Sequence, residues 1–484
     1  MFSKSQLAKM AGKCRITQET FDEAVQENIV EFDMEAEDAL KSAIAEFEDQ
    51  NVDLSNIIKS VSGGNTSGHP AAECLATVKT ASGAEFVQAC HHLVLLLEDP
   101  EGEASNILLQ RGAVGALLSV LEAGGGAADA EGASAGLRVL KALFGTRSHQ
   151  TACLEATGPP ILQAIVARPE STLGVKALGL EAATALARKH EAGKVALLVA
   201  GMASAALPVL ESVGRATGED EEEGLAACCS LLSALTCADD DTLPSSSAFA
   251  NARSLGKGAL PVLVRTLSLR EGVPTSPSTL VALCSAIKQL SANEELCAVA
   301  AEHGALGILL RHFSAASKAG EESVMRAACA ALRQLCSSDS CKAAFLDQDD
   351  VIPRLASALK RYNTRPLITE QVLGLMTNLA LRNPAASLAL VGERGCLDAV
   401  LRALTAAAME RTTDPRAASA MRQGCMAIRN MGVRCEEAKT ELLALHAQDV
   451  LYSIRDSSAP GALQDAASAA LRDLGMLDYL PKAR

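Results

Sequence analysis

From about residue 104 the chain repeats one phrase: a Gly or acidic punctuation, an apolar helix opening, a loop, then a long Ala/Leu helix ending in a polar turn. The openings read RGAVGALLSVL, TGPPILQAIV, GKGALPVLVRTL, EHGALGILLRHF, QDDVIPRLASAL, RGCLDAVLRAL and AQDVLYSIRD. The long helices align as GLRVLKALFG, GLEAATALAR, ACCSLLSALTC, ALCSAIKQLSA, ACAALRQLCSS, VLGLMTNLALR, GCMAIRNMGVR and AASAALRDLG. Gly258 to Gly304 and Gly304 to Asp350 are each 46 residues, and Asp350 to Gly395 is 45. A unit of that length cannot bury its apolar face alone, so stability must come from stacking neighbours into one continuous core with polar caps at the ends. A single globule is excluded, since 484 residues exceed what one compact core organises.

Composition fixes the class of the units. Aromatic residues make up 2% and Trp is absent, so Ala and Leu must fill the interior. Such side chains favour closely packed helices over strands. The expectation is an all-α helical solenoid, and the Gly-Ala-Leu openings together with the Asn in MTNLA and AIRNMG favour armadillo units over HEAT units of the same period.

Charge and cysteine usage narrow the function. Residues 17–53 hold 13 acidic side chains against Lys41 alone, which accounts for most of the net charge of −14. The remainder is near neutral, without a basic stripe or aromatic stacking surface, and this argues against nucleic acid as a partner. No apolar run is long enough to span a bilayer, and the N-terminus lacks the apolar core of a signal peptide, so no membrane contact and a cytoplasmic or also nuclear location are expected. Most of the 15 cysteines lie in apolar helical runs without CxxC spacing, where a reduced thiol behaves as a small hydrophobe.

Catalytic and ligand motifs are set aside one by one. Gly132–Gly136 spells G-x-S-x-G in an Ala/Gly-rich loop entering a helix, without the preceding strand that a nucleophile elbow needs. Ser285–Lys288 spells S-x-x-K inside a repeat helix, where core packing accounts for it. Cys90, His91 and His92 are adjacent, so on a helix they point about 100° apart and do not converge on one metal. The chain is expected to be no enzyme and to need no cofactor or metal.

The N-terminal stretch RITQETFDEAVQENIVEFDMEAEDALKSAIAEFEDQNVDLSNIIK, the LALRNP turn, GCMAIRNMG and the closing AALRDLG resemble members of the armadillo-repeat family. The resemblance implies an armadillo-type solenoid, a right-handed superhelix, that is intracellular and not catalytic. The related loop at 238–256 is longer and contains histidines. Asp239, Asp240 and Asp241 match it here and its histidines do not, which speaks against a metal reading of that loop. The expected organisation is an acidic helical arm at 1–60, a linker at 61–70, a degenerate capping repeat at 71–111, and seven to eight repeats over 112–484.

In armadillo folds the third helix of each repeat builds the concave groove. The position before its late Leu holds Ala142, Ala185, Ala234, Gln289, Gln334, Asn378, Asn430 and Asp473. The four amides, Gln289, Gln334, Asn378 and Asn430, are the candidate contacts to an extended peptide backbone, and Lys288, Arg333 and Arg429, one residue earlier, add positive charge. The bland alternative is that all of them cap or solvate helices.

The arm carries a second candidate surface. Thr20 and Glu23 form a capping-box pattern, and Phe21, Val25, Ile29 and Phe32 form one apolar stripe, repeated at Leu40, Ala43, Ile44 and Phe47. This stripe either recognises a partner groove, or the chain's own groove, or simply docks with its acidic face in solvent. The reading that results is a scaffold for protein partners of unknown identity. A nuclear import adaptor like importin alpha is disfavoured by the missing Trp ladder and the acidic arm.

Overall fold

The computed structural model describes residues 14–50, 52–54, 57–59, 68–99, 103–124, 129–214, 218–410 and 416–476. The chain divides into two compact units, one running through Ala206 and including Asp239–Thr242, the other holding Leu207–Ala238 and the chain from Leu243 onward.

The first unit opens with the arm, whose helices are Gln18–Val30 and Ala36–Asp49. Thr17, in extended conformation, caps the first of them by accepting from the Thr20 amide at 3.2 Å. The cap therefore stands three residues before the expected Thr20, because the extended backbone of Thr17 is what lets its hydroxyl reach the first-turn amides. Two-residue strands, Cys14–Arg15 and Val52–Asp53, pair in parallel where the chain enters and leaves the helices. Phe21, Val25, Ala39, Ala43, Val52, Leu54 and Ile57 form a small core between them.

Helices Pro70–Thr80 and Gly83–Leu97 follow as a two-helix set. Three-helix sets then begin with Ala104–Gln110, Ala113–Ala123 and Ala130–Leu143, and continue with Arg147–Glu155, Gly158–Ala167 and Leu173–Ala187. The expected repeat boundary at 112 thus falls inside a set, since Ala104–Gln110 is too short to show a period in the sequence. Asp129 starts the helix Ala130–Leu143 by accepting from the Gly132 amide at 2.7 Å. The Gly132–Gly136 stretch, expected as loop, is therefore helical, with Gly132, Ala135 and Gly136 buried. The unit boundary lies within Met202–Val213, which follows Glu191–Val199.

The second unit carries Glu219–Leu235, then Ala248–Leu269 with Pro277–Leu290, and four three-helix sets from Glu294 to Asp473. Their third helices are Glu322–Leu335, Pro366–Ala380, Ala417–Gly432 and Ala462–Asp473, and they stack in sequence on Glu219–Leu235 and Pro277–Leu290. Ala, Leu and Cys fill the stack: Leu283, Cys284, Ala328, Leu332, Leu375, Cys425 and Leu471 are all fully buried. The Ala-rich composition is what lets the helices approach this closely.

The turn from first to second helix uses one backbone solution. Gly112, Thr157, Gly201, Gly304, Asp350, Gly395 and His446 all take positive φ, between 51° and 86°. Gly258 marks the same position in sequence, yet Ala248–Leu269 runs through it as one helix of 22 residues. Gly256 seats this helix against its neighbour, where a Cβ would stand 2.6 Å from Leu296 Cδ2. The expected break at Gly258 is therefore absent, and Pro261 sits inside the helix.

Candidate protein-binding surfaces

The four amides singled out in the sequence occupy equivalent places on consecutive third helices, and each donates to a backbone carbonyl at the end of the preceding third helix, the two Gln to the residue two after the row position and the two Asn to the residue one before it. Gln289 Nε2 donates to the Thr236 carbonyl at 2.8 Å and Gln334 Nε2 to Ser291 at 2.8 Å. Asn378 Nδ2 donates to Arg333 at 2.9 Å and Asn430 Nδ2 to Thr377 at 3.0 Å. The acceptors lie at the C-terminal end of the preceding third helix; Thr236 and Ser291 are the residues just past it, where carbonyls lack intrahelical partners, whereas the Thr377 carbonyl also accepts from the Leu381 amide at 3.1 Å. Each amide thereby ties two repeats together with one of its two hydrogens, and all four side chains are half-buried. Ala142, Ala185 and Ala234 cannot do this. In the first unit Gln150, from the helix Arg147–Glu155, takes over, donating to Ala185 and Arg188 at 2.8 and 3.0 Å.

The cationic positions are used unequally. Arg333 lays its guanidinium over Gly374, so that a Cβ there would stand 2.6 Å from Cζ. Arg429 pairs with Asp473 through Nε at 2.6 Å, which offsets the positive charge expected from it. The pairing follows from the row itself, because Asp473 stands on the next third helix in the position that the amides fill elsewhere. Lys288 is exposed.

The arm's stripe is largely consumed by its own fold. Phe21 and Val25 are buried, Ile29 packs against them, and the Phe21 and Phe47 rings lie 5.9 Å apart. Phe32 is 64% exposed and Val30 69%. Of the four stripe residues only Phe32 therefore stays available to another molecule, since two short acidic helices hold together by burying their single apolar faces on each other. The arm is also tied to the repeats. Gln18 exchanges two hydrogen bonds with the Ile58 backbone, at 3.0 and 2.8 Å, and receives one from Gln110 at 3.1 Å. Asn106 donates to the Ile57 carbonyl at 3.1 Å, and Ile58 packs with Ala72 and Ile107.

Residues 13–82 match the family model described as the armadillo repeat-containing protein 6 N-terminal domain. That range takes in the arm and ends just beyond Pro70–Thr80, the helix that Ile58 packs on through Ala72. The chain is 28% identical over 394 residues to armadillo repeat-containing protein 6 of Homo sapiens and of Pongo abelii, covering 78% of this chain and 76% of each relative. This chain resembles armadillo repeat-containing protein 6. The Drosophila melanogaster homolog of that protein is 26% identical over 374 residues, covering 76% of this chain and 77% of its own length.

Solved structures agree on the armadillo-type fold. An engineered protein superposes with a TM-score of 0.66 at 16% identity, over 95% of this chain and 99% of its own. A chain from the structure described as "A conserved phosphorylation switch controls the interaction between cadherin and beta-catenin in vitro and in vivo" superposes with a TM-score of 0.56 at 16% identity, over 84% of this chain and 69% of its own.

Thiol and imidazole chemistry falls elsewhere. Cys90 is buried while His91 and His92 are exposed, so the three diverge. Burial pushes the thiols of Cys90, Cys153, Cys228 and Cys425 up to about 12, far from the thiolate form that reacts.

The sequence reading missed one charged cluster, in the first unit. Arg147 grips Asp240, Lys194 pairs with Asp239 and with Glu191, and the Lys194 side chain is wholly buried. The triple Asp at 239–241 was visible as acidic loop composition, but its partners lie 45 to 93 residues earlier in the chain.

Proposed function

We propose that this armadillo-repeat chain is a non-catalytic scaffold that holds extended segments of protein partners along the third helices of its second unit. The observation that carries this reading is the row Gln289, Gln334, Asn378 and Asn430. Each amide keeps its carbonyl oxygen and one hydrogen beyond the bond to the preceding repeat, and an extended backbone offers complementary groups at regular intervals. Lys288 and Arg333 flank the row and would favour acidic side chains on the bound segment. The structural neighbour described through the interaction of cadherin with beta-catenin supports protein as the class of partner.

Partner capture from cells tests the reading, comparing wild type, a Lys288→Glu/Arg333→Glu variant and a Phe32→Ala variant at two salt concentrations. Partners lost only with the third-helix substitutions, and more readily at high salt, support it. Partners lost only with Phe32→Ala would move the binding element to the arm and overturn the third-helix assignment.

A further inference from the structure

Five donors in the first unit converge on two neighbouring carboxylates. Arg147 donates from Nη1 and Nη2 to the two oxygens of Asp240, both at 3.0 Å. The Glu191 amide, at the start of the helix Glu191–Val199, donates to Asp240 at 3.0 Å. The Lys189 amide donates to Asp239 at 3.0 Å, and Lys194 Nζ closes on the other Asp239 oxygen. Lys189 takes positive φ, 53°, in the turn that carries both donating amides, its own to Asp239 and that of Glu191 to Asp240. The Lys194 side chain is fully buried and pairs with the Glu191 carboxylate at 3.5 Å as well as with Asp239, so the two cations of the cradle hold one carboxylate of their own and leave room for more negative charge, which the segment supplies.

What fills it is four residues, Asp239–Thr242, belonging to the first unit while the chain on both sides belongs to the second. Beyond it, Leu243–Ser246 is exposed. Among the described residues the segment's attachment consists of the two carboxylates, with Thr242 bonded back to Asp240 rather than to the cradle. Its hold is thus the hold of an acidic dipeptide, strengthened by being tethered.

From this we infer that Arg147, Lys194 and the amides of Lys189 and Glu191 form a binding site for two adjacent carboxylates, occupied in cis by Asp239–Asp240 and open to an acidic segment of a partner protein when that occupant leaves. The site reads charge and spacing: two neighbouring acidic side chains, one to the guanidinium and one to the ammonium. It is separate from the third-helix row of the second unit, so the failure of either reading leaves the other standing.

The test uses the full chain as wild type and as Asp239→Ala/Asp240→Ala, with two blocked pentapeptides as probes, Ala-Asp-Asp-Asp-Thr and Ala-Asn-Asn-Asn-Thr. The double variant is expected to melt several degrees lower, to regain part of that loss with the Asp peptide, and to bind it about tenfold or more tightly than wild type, whose own Asp239–Asp240 segment competes in cis. The Asn peptide should do neither. Equal binding to both proteins, or none to the variant, overturns the site. Should the variant fail to fold, the peptides are added to wild type and amide exchange is read over residues 240–247. Faster exchange with the Asp peptide alone supports the inference, and unchanged exchange overturns it.

Discussion

Arg147 holds both oxygens of Asp240 at 3.0 Å across 93 residues of chain, and the Asp240 side chain is 1% exposed. The guanidinium, with bonds from Thr242 and the Glu191 amide, holds the Asp240 carboxyl well below the usual carboxylate range. A depressed carboxyl stabilises the fold above its ordinary value of about 4 and loses that contribution as pH falls further. Asp240→Asn is expected to cost about 2 kcal/mol at neutral pH, the size of a charge-assisted bond lost. Denaturant unfolding at pH 7 and pH 3 measures it. A difference between variant and wild type that does not shrink at pH 3 would refute the account.

How much of this was legible in the sequence follows from range. The period of 46 residues from Gly258 to Asp350 exposed the stacked helices because each unit repeats its own local pattern. The amide row was legible for the same reason, as one position of one helix repeated. The Arg147–Asp240 contact was not, because it links a helix start to an insertion and recurs nowhere. Phe21 and Val25 were read correctly as one stripe, but periodicity shows a face without showing what covers it, and Ala39 and Ala43 cover this one. The missing break at Gly258 has the same origin: the sequence holds the glycine, and the packing of Gly256 on Leu296, which the sequence does not show, goes with a helix that runs through it.

Thr157 stands at φ 51°, ψ 36°, in the turn where Gly112, Gly201, Gly304 and Gly395 stand in other repeats. A β-branched residue there carries a steric cost of about 1 kcal/mol or more, and its exposed side chain offers nothing in return. Thr157→Gly should therefore raise stability by about half a kcal/mol once the greater freedom of glycine in the unfolded chain is counted against the steric relief. A melting temperature at or below that of wild type would contradict this.

Gly374 leaves the space that the Arg333 guanidinium fills. A methyl group there meets the far end of a flexible side chain, not backbone, and alanine gains helix propensity of about 1 kcal/mol over glycine. Gly374→Ala is thus expected to keep or slightly raise stability while turning Arg333 away. Binding of an acidic partner segment should weaken in this variant without any loss in melting temperature, and unfolding data paired with binding data separate the two.

Asn378 donates to the Arg333 carbonyl, which lies in the last turn of its helix. Asn378→Ala removes that partner and should cost about 1 kcal/mol. Gln334→Ala should cost a similar amount through Ser291. Combined, the two should add, since they cap different helix ends. A double variant no less stable than either single one would show that the amides do not tie the repeats.

His149 is 1% exposed, with Nδ1 at 2.8 Å from the Thr146 hydroxyl, and burial lowers its pKa to about 4. His190 is also buried and lowered, by burial first and by Arg147 second. Both imidazoles are held neutral in the folded chain, while in the unfolded chain they take up protons near pH 6.5. The His149 contribution is therefore complete above about 6.5 and is lost as pH falls toward 4, the unfolded state binding more protons throughout that window. For His149 the loss reaches at most about 3 kcal/mol. His149→Gln should flatten the stability profile between pH 7 and 4.5 relative to wild type, whatever it costs at pH 7. If the variant and wild-type profiles run parallel across that window, the proton is not taken up at His149.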